Sequence, residues 1–205
     1  MASKIAFLNR FRKILATHEL FGLRWLLDGF NHYDDDRVRE VGPDRAAAEW
    51  VVRCEGKVRF DVWDEFIENY NDLLRRTSCL DPKLPQHQVH IISISAIHSS
   101  ISGRGCVHLY GLKKIKEICF IHCKAFDDTG VEKVSRLTCG TLEKLRIESC
   151  PKVTEYGLRF LGNCSNLQFL LLRDLPRVYK KTEVLQYLKS SLPKCDICYP
   201  DSNIE

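Results

Sequence analysis

Histidine, cysteine and carboxylate are the side chains that hold metals and move protons, and spacing decides whether they can act together. His87, His90, His98, His108 and His122 crowd the middle third of the chain and invite a metal site or a general base. His90, His98 and His108 lack fixed helical spacing, and no paired carboxylate stands near them. They read as surface histidines. Asp34, Asp35 and Asp36 have the charge for Ca²⁺ but not the D-x-[DN]-x-[DN]-G loop, so they read as a solvated face. Among ten cysteines, only Cys195-Asp-Ile-Cys198 has metal-clip spacing, and no second pair completes it. The rest read as reduced thiols packed as small hydrophobes. A secreted disulfide scaffold would be shorter and richer in loops. G-x-S-x-G, the P-loop, the Rossmann glycine fingerprint and H-E-x-x-H are all missing, so the residues point away from an enzyme.

The chain that must position these residues has 205 of them, 44% hydrophobic and 28% charged. That supports one core and at most two domains. The longest apolar run, Phe169 to Leu172, is far below the roughly 20 residues of a spanning helix. The net charge is +4. Lys4, Arg10, Arg12 and Lys13 account for it, because residues 1–18 contain no acid and the remainder is balanced. A nucleic-acid binder keeps its basic excess in the folded body, so that class is disfavoured. Ile5, Leu8, Phe11 and Leu15 recur at near-helical spacing among those bases, the pattern of a mitochondrial presequence. Arg10, Arg12 and Lys13 break any secretory apolar stretch.

A repeat fills the second half. Ile115, Ile118, Phe120, Cys123, Phe126 and Val131 return 27 residues later as Leu142, Leu145, Ile147, Cys150, Val153 and Leu158. Leu167, Leu170, Leu172, Leu175 and Val178 follow 25 residues on, and Ile91, Ile94, Ala96 and Ser99 form a degenerate earlier copy. L-x-x-L-x-L-x-x-C at this period is the leucine-rich-repeat pattern. The expected fold is therefore α/β, a short solenoid of about four Cys-type repeats behind a mainly helical amino-terminal cap. In each x-L-x-L-x strand alternate side chains turn inward. Cys123 and Cys150 then stack as small side chains where the chain bends, and Thr154 is placed to cap a return helix. The outward positions should line the concave face: Ser93, Ser95, Ile97; Glu117, Cys119, Ile121; Lys144, Arg146, Glu148; Phe169, Leu171, Arg173. An apolar group ringed by charge points to a protein contact or to self-association rather than to an active site.

In the first half, Trp25, Leu26, Leu27 and Phe30 make an apolar helical stripe, followed by a polar segment from Asp34 to Glu40. Pro43, Asp44 and three alanines start a second helix, Lys57–Phe60 alternates like a strand, and Trp63, Phe66, Ile67 and Tyr70 suggest another helix. The resulting organisation is a presequence (1–18), a helical capping domain (19–88), repeats with a carboxyl-terminal capping helix (89–192) and a tail (193–205).

The segment WLLDGFNHYDDDRVREVGPDRAAAEWVVRCEGKVRF, the Cys-type repeats and LLLRDLPRVYKKTEVLQYLKSSLP together resemble the family of mitochondrial ATP synthase subunit s, also called coupling factor B. The resemblance spans roughly residues 23–193. It implies a non-enzymatic, peripheral protein of the mitochondrial inner membrane that associates with the membrane sector of ATP synthase and supports proton conduction. It also implies a Mg²⁺ site at the Gly of VGPDR, here Gly42, and at a Thr before the repeats, matched by Thr77. The family's C-x-C dithiol is replaced here by Ile121-His122-Cys123, with Cys119 one strand step away. Assembly proteins of the distal membrane arm of respiratory complex I carry similar repeats, so assembly of a respiratory complex is the alternative. An F-box adaptor is a further class, but no L-P-x-x-x-L segment precedes residue 89. The residues expected to touch a partner are Glu117, Cys119, Ile121, Lys144, Arg146, Glu148, Phe169, Leu171 and Arg173.

Overall fold

The computed structural model describes residues 28–200. The presequence segment 1–18 and Trp25–Leu27 of the first apolar stripe lie outside the described residues. In chain order come α1 (Asp35–Val41), α2 (Pro43–Arg53), β1 (Lys57–Phe60), α3 (Tyr70–Thr77), β2 (Ile91–Ile97), β3 (Glu117–Ile121), α4 (Asp128–Thr138), β4 (Lys144–Glu148), α5 (Glu155–Arg159), β5 (Phe169–Arg173), α6 (Lys181–Ser191) and β6 (Asp196–Cys198). Short 3₁₀ segments at Gly105–Leu109 and Phe160–Asn163 fill two of the connections. The fold is α/β, built on a mixed six-stranded sheet in the order β1-β2-β3-β4-β5-β6.

Two amino-terminal elements differ from the sequence pattern, and local hydrogen bonds explain both. The polar run after Asp34 is helical, because the Asp34 carboxylate accepts from the backbone N–H of Arg37 at 2.9 Å and caps α1. The helix expected from Trp63 to Tyr70 starts only at Tyr70. Ile67 instead exchanges two backbone hydrogen bonds with Val58, at 2.8 and 3.0 Å, and Asn69 caps α3 by accepting from Asn71 and Asp72. Between α1 and α2 the chain turns at Gly42 with φ of 85°, where a side chain would be strained. Pro43 then opens α2 in the first turn, where a backbone N–H would have no intrahelical acceptor.

β1 pairs antiparallel with β2, and the later strands are all parallel. Successive parallel strands pair without slippage: Ser93 with Glu117, Glu117 with Lys144, Lys144 with Phe169, and Phe169 with Asp196. The inward positions Ile94, Ile118, Phe120, Leu145, Ile147, Leu170 and Leu172 form the buried floor under the helices. Asp127 and Thr154 cap α4 and α5 with their side chains. Asp128 bonds both the N–H and the hydroxyl of Thr154, at 2.7 and 2.6 Å, tying one unit to the next.

Each parallel strand from β2 to β5 leaves the sheet through a residue in the left-handed region: His98, His122, Ser149 and Asp174, with φ between 50° and 54°. The first three each donate their N–H to the last carbonyl of the next strand, at 2.9 to 3.0 Å. The following side chain turns inward and makes a ladder. Ser99 donates to the Cys54 carbonyl at 2.7 Å, Cys123 to Ala96 at 3.2 Å and Cys150 to Phe120 at 3.7 Å.

The segment read as a tail contributes β6, which extends the sheet. Cys198 pairs with Leu171 on the outer face, whereas Cys195 packs against the core. Cys195 lies just ahead of β6 and turns toward the core while Cys198 lies on the outer face, so the two thiols are not set side by side as a metal clip. No helix among the described residues is long and apolar enough to cross a membrane.

Candidate functional site: the open face of the sheet

The face of the sheet away from the helices carries three rows of side chains, set by the strand register. Ser93, Glu117, Lys144 and Phe169 form one row; Ser95, Cys119, Arg146 and Leu171 the next; Ile97, Ile121, Glu148 and Arg173 the third. Arg59 of β1 lies opposite Ser93 and Lys57 opposite Ser95, so β1 extends the first two rows. In the first row Glu117 takes an ion pair from Lys144 at 2.8 Å and a longer one from Arg59 at 3.5 Å. All these side chains remain partly exposed, so each pair contributes under about 1 kcal/mol.

The third row departs from the expectation of an exposed contact charge. Glu148 is a buried carboxylate, its side chain only 6% exposed. Arg146 reaches it with Nε at 3.0 Å and Arg173 with Nε at 2.7 Å. Burial alone would raise this carboxyl, but the hydrogen bonds from the two guanidinium groups outweigh it and hold the carboxyl below the usual carboxylate range. The two arginines are presented to solvent by an acid that is not. Beside them Cys119 is half-buried, and burial pushes its thiol up to about 11. Ile97 is the most open apolar group of the face, at 45% exposure. Just past it and Ile121, His98 and His122 stack their rings at 4.6 Å with only 6° between planes.

The histidines separate by environment. His108, read as a surface residue, is buried and stacked flat on Trp50 at 4.8 Å. Burial pushes its imidazole down to about 4, so it stays neutral and serves packing. His90 faces the buried carboxylate of Asp44 at 3.2 Å, and Asp44 also accepts from the N–H of Ile91 at 2.8 Å. Asp44 thereby ties α2 to the start of β2, and burial, its largest influence, raises its carboxyl. No spacing rule joins residues 44 and 90; only the fold brings them together.

Gly42 lines a cavity of about 160 Å³ whose walls include Asp44, Arg45, Pro82, His87, His90 and Lys113. Thr77 is not on those walls. It is buried near the end of α3, where its hydroxyl donates to the Leu73 carbonyl at 2.9 Å. The Gly42 carbonyl already accepts from Ala46 at 3.1 Å. Mg²⁺ takes six oxygens and favours carboxylates. Thr77 lies off the cavity, and the Gly42 carbonyl is one neutral, already hydrogen-bonded oxygen on the wall shared with Arg45 and Lys113, so the pair does not fit that ion. Among the described residues, no group of three metal-binding side chains occurs.

Fold and face together define an α/β protein of strand–helix units stacked in chain order, with a charged, partly apolar open sheet face. No protein-family model matches the chain. It is similar to the curated protein "ATP synthase subunit s, mitochondrial" of Bos taurus, with 36% identity over 177 residues, covering 84% of each chain. The proteins of the same name from Homo sapiens and Mus musculus are 35% and 34% identical over 175 residues, again with 84% of each chain covered. The chain belongs to the family of mitochondrial ATP synthase subunit s.

Proposed function

We propose that this protein is a non-enzymatic accessory component of mitochondrial ATP synthase, held peripherally at the inner membrane and supporting proton conduction through the membrane sector. The observation that carries this reading is the identity of about a third, over 84% of both chains, to relatives named as subunits of that complex. The in-register strand units are read as leucine-rich repeats, a scaffold that presents contact area. On this reading the partner meets the open face, with Lys144, Phe169, Leu171 and Ile97 in contact and Arg146 and Arg173 supplying charge. Interfaces favour arginine and large apolar groups in this way.

The test is affinity capture of the tagged chain from gently solubilised mitochondria, resolved on native gels. Co-migration with ATP synthase is expected, and Lys144→Glu with Ile97→Asp should reduce it at least tenfold while leaving the fold intact. Both positions are well exposed, so their loss costs little stability. Co-migration with complex I assembly intermediates alone, or absence from mitochondria, would overturn the reading.

A further inference from the structure

The cavity beside Gly42 is lined by two cationic side chains, Arg45 and Lys113, and neither joins an ion pair among the described residues. Arg45 spends one nitrogen on the Leu80 carbonyl at 2.8 Å, while its Nε is buried with no hydrogen-bond partner. Lys113 stands on the same cavity and joins no ion pair among the described residues. His87 accepts from the N–H of Asp81 through Nδ1 at 3.2 Å. In the neutral tautomer that this bond selects, the ring proton sits on Nε2 as a further donor.

The nearby carboxylates are already committed. Asp44 is taken by Ile91 and His90. Asp61 is taken by the N–H of His90 and by Lys114. Glu49, the acid that acts most strongly on Arg45, is gripped by both Nε and Nη2 of Arg37, and Glu40 by Nη1 of the same residue. The surplus in the cavity is therefore of donors and cations, the opposite of a divalent-metal seat. A tetrahedral oxyanion answers such a set, because its oxygens accept from several convergent N–H groups at once and arginine matches it with paired donors.

We propose that the Gly42 cavity is a phosphate-binding site, holding an inorganic phosphate ion or the phosphate of a larger molecule against Arg45 and Lys113. At about 160 Å³ the cavity has room for a phosphate group. Burial lowers the pKa of the Arg45 guanidinium, and a bound anion would offset that cost.

The experiment titrates the full chain with sodium phosphate against sodium chloride at matched ionic strength, following ³¹P line width and thermal unfolding. Saturable binding is expected, with a Tm rise of about 5 °C at a hundredfold excess over Kd. Lys113→Gln and Arg45→Gln should each weaken binding about fivefold or more, whereas Lys194→Gln, on an exposed loop, should not. Lys113 is exposed, so its variant folds even if removal of Arg45 disturbs the Leu80 contact. A second arm uses phosphatidylcholine vesicles with and without phosphatidate. Binding to phosphatidate vesicles alone, abolished by both variants, keeps the site and identifies its phosphate as a lipid headgroup. Absent or non-saturable phosphate binding together with no variant-sensitive binding to phosphatidate vesicles, equal binding in all three variants, or stabilisation by Mg²⁺ but not by either phosphate source would overturn the proposal.

Discussion

Replacing Arg146 and Arg173 together by glutamine should destabilise the protein more than any exposed pair of substitutions has reason to. Either arginine alone leaves Glu148 one charged partner, so each single variant should lose about 1.5 kcal/mol, the low end for a charge-assisted hydrogen bond. Removing both strands a carboxylate whose side chain is 6% exposed. An unpaired buried charge costs about 3–5 kcal/mol. The arginines are themselves 43% and 55% exposed, and water enters where they leave, so the lower figure applies. About 3 kcal/mol corresponds to a Tm lowered by roughly 6–12 °C in a chain of this size. The pH dependence gives a second reading. In the wild type Glu148 titrates below its unfolded value of about 4.3, so its contribution is complete above that pH and is lost as pH falls through the depressed value. In the double variant burial acts unopposed and raises the carboxyl, which then takes a proton and sheds its penalty. Urea unfolding at pH 7 and pH 4 should show the gap between wild type and variant shrinking in acid, and adding Glu148→Gln should recover at least half of it at pH 7. A gap under 1 kcal/mol, or one equal at both pH values, would refute the argument. Substituting these two arginines therefore confounds folding with docking, which is why Lys144 and Ile97 are the better probes of the face.

Further outcomes follow from the same geometry. A thiol-specific probe should react quickly with the exposed Cys79 and Cys198 in the native state and with Cys54, Cys123, Cys150 and Cys164 only on unfolding; fast modification of Cys54, whose thiol burial pushes up to about 12, would contradict the packing. Gly103→Ala should cost about 3 kcal/mol by chemical denaturation, because its new carbon would lie 2.0 Å from Asp127 Oδ1 and 2.6 Å from the Gly130 backbone nitrogen; a loss under 1 kcal/mol would show that the α4 cap gives way easily. Millimolar Mg²⁺ should move Tm by less than 1 °C, and a rise of several degrees, reversed by chelation, would restore a metal role for Gly42 and Thr77.

Much of the architecture was legible because the signal repeats. The apolar pairs at Ile118/Phe120, Leu145/Ile147 and Leu170/Leu172 obey the two-residue strand period, so the sequence alone sets the outward rows and their register. Elements decided by single hydrogen bonds were not legible. Asp34 makes a helix of a run that looks merely polar, and Asn69 moves the start of α3 past Trp63, Phe66 and Ile67. β6 is three residues long, too short for alternation to register. The open face was legible as a set of positions but not as an environment. Parity places Glu148 outward, yet two long side chains from its own strand and the next close over it, and parity cannot see their length. The Gly42 cavity draws on Gly42–Arg45, Pro82, His87–His90 and Gly111–Lys113, four stretches with no common period.

The antiparallel first strand has a consequence for how such a chain can grow. β1 runs against the rest, slips register between Arg59 and Phe60, and has Ile67 bonded across its outer side at Val58. A further parallel unit finds no matching template at that end. At the other end β6 continues the same parallel register. Duplication of a strand–helix unit can lengthen this protein inside the array or toward its carboxyl terminus, but not ahead of β1, so the amino-terminal segment counts the units from a fixed origin.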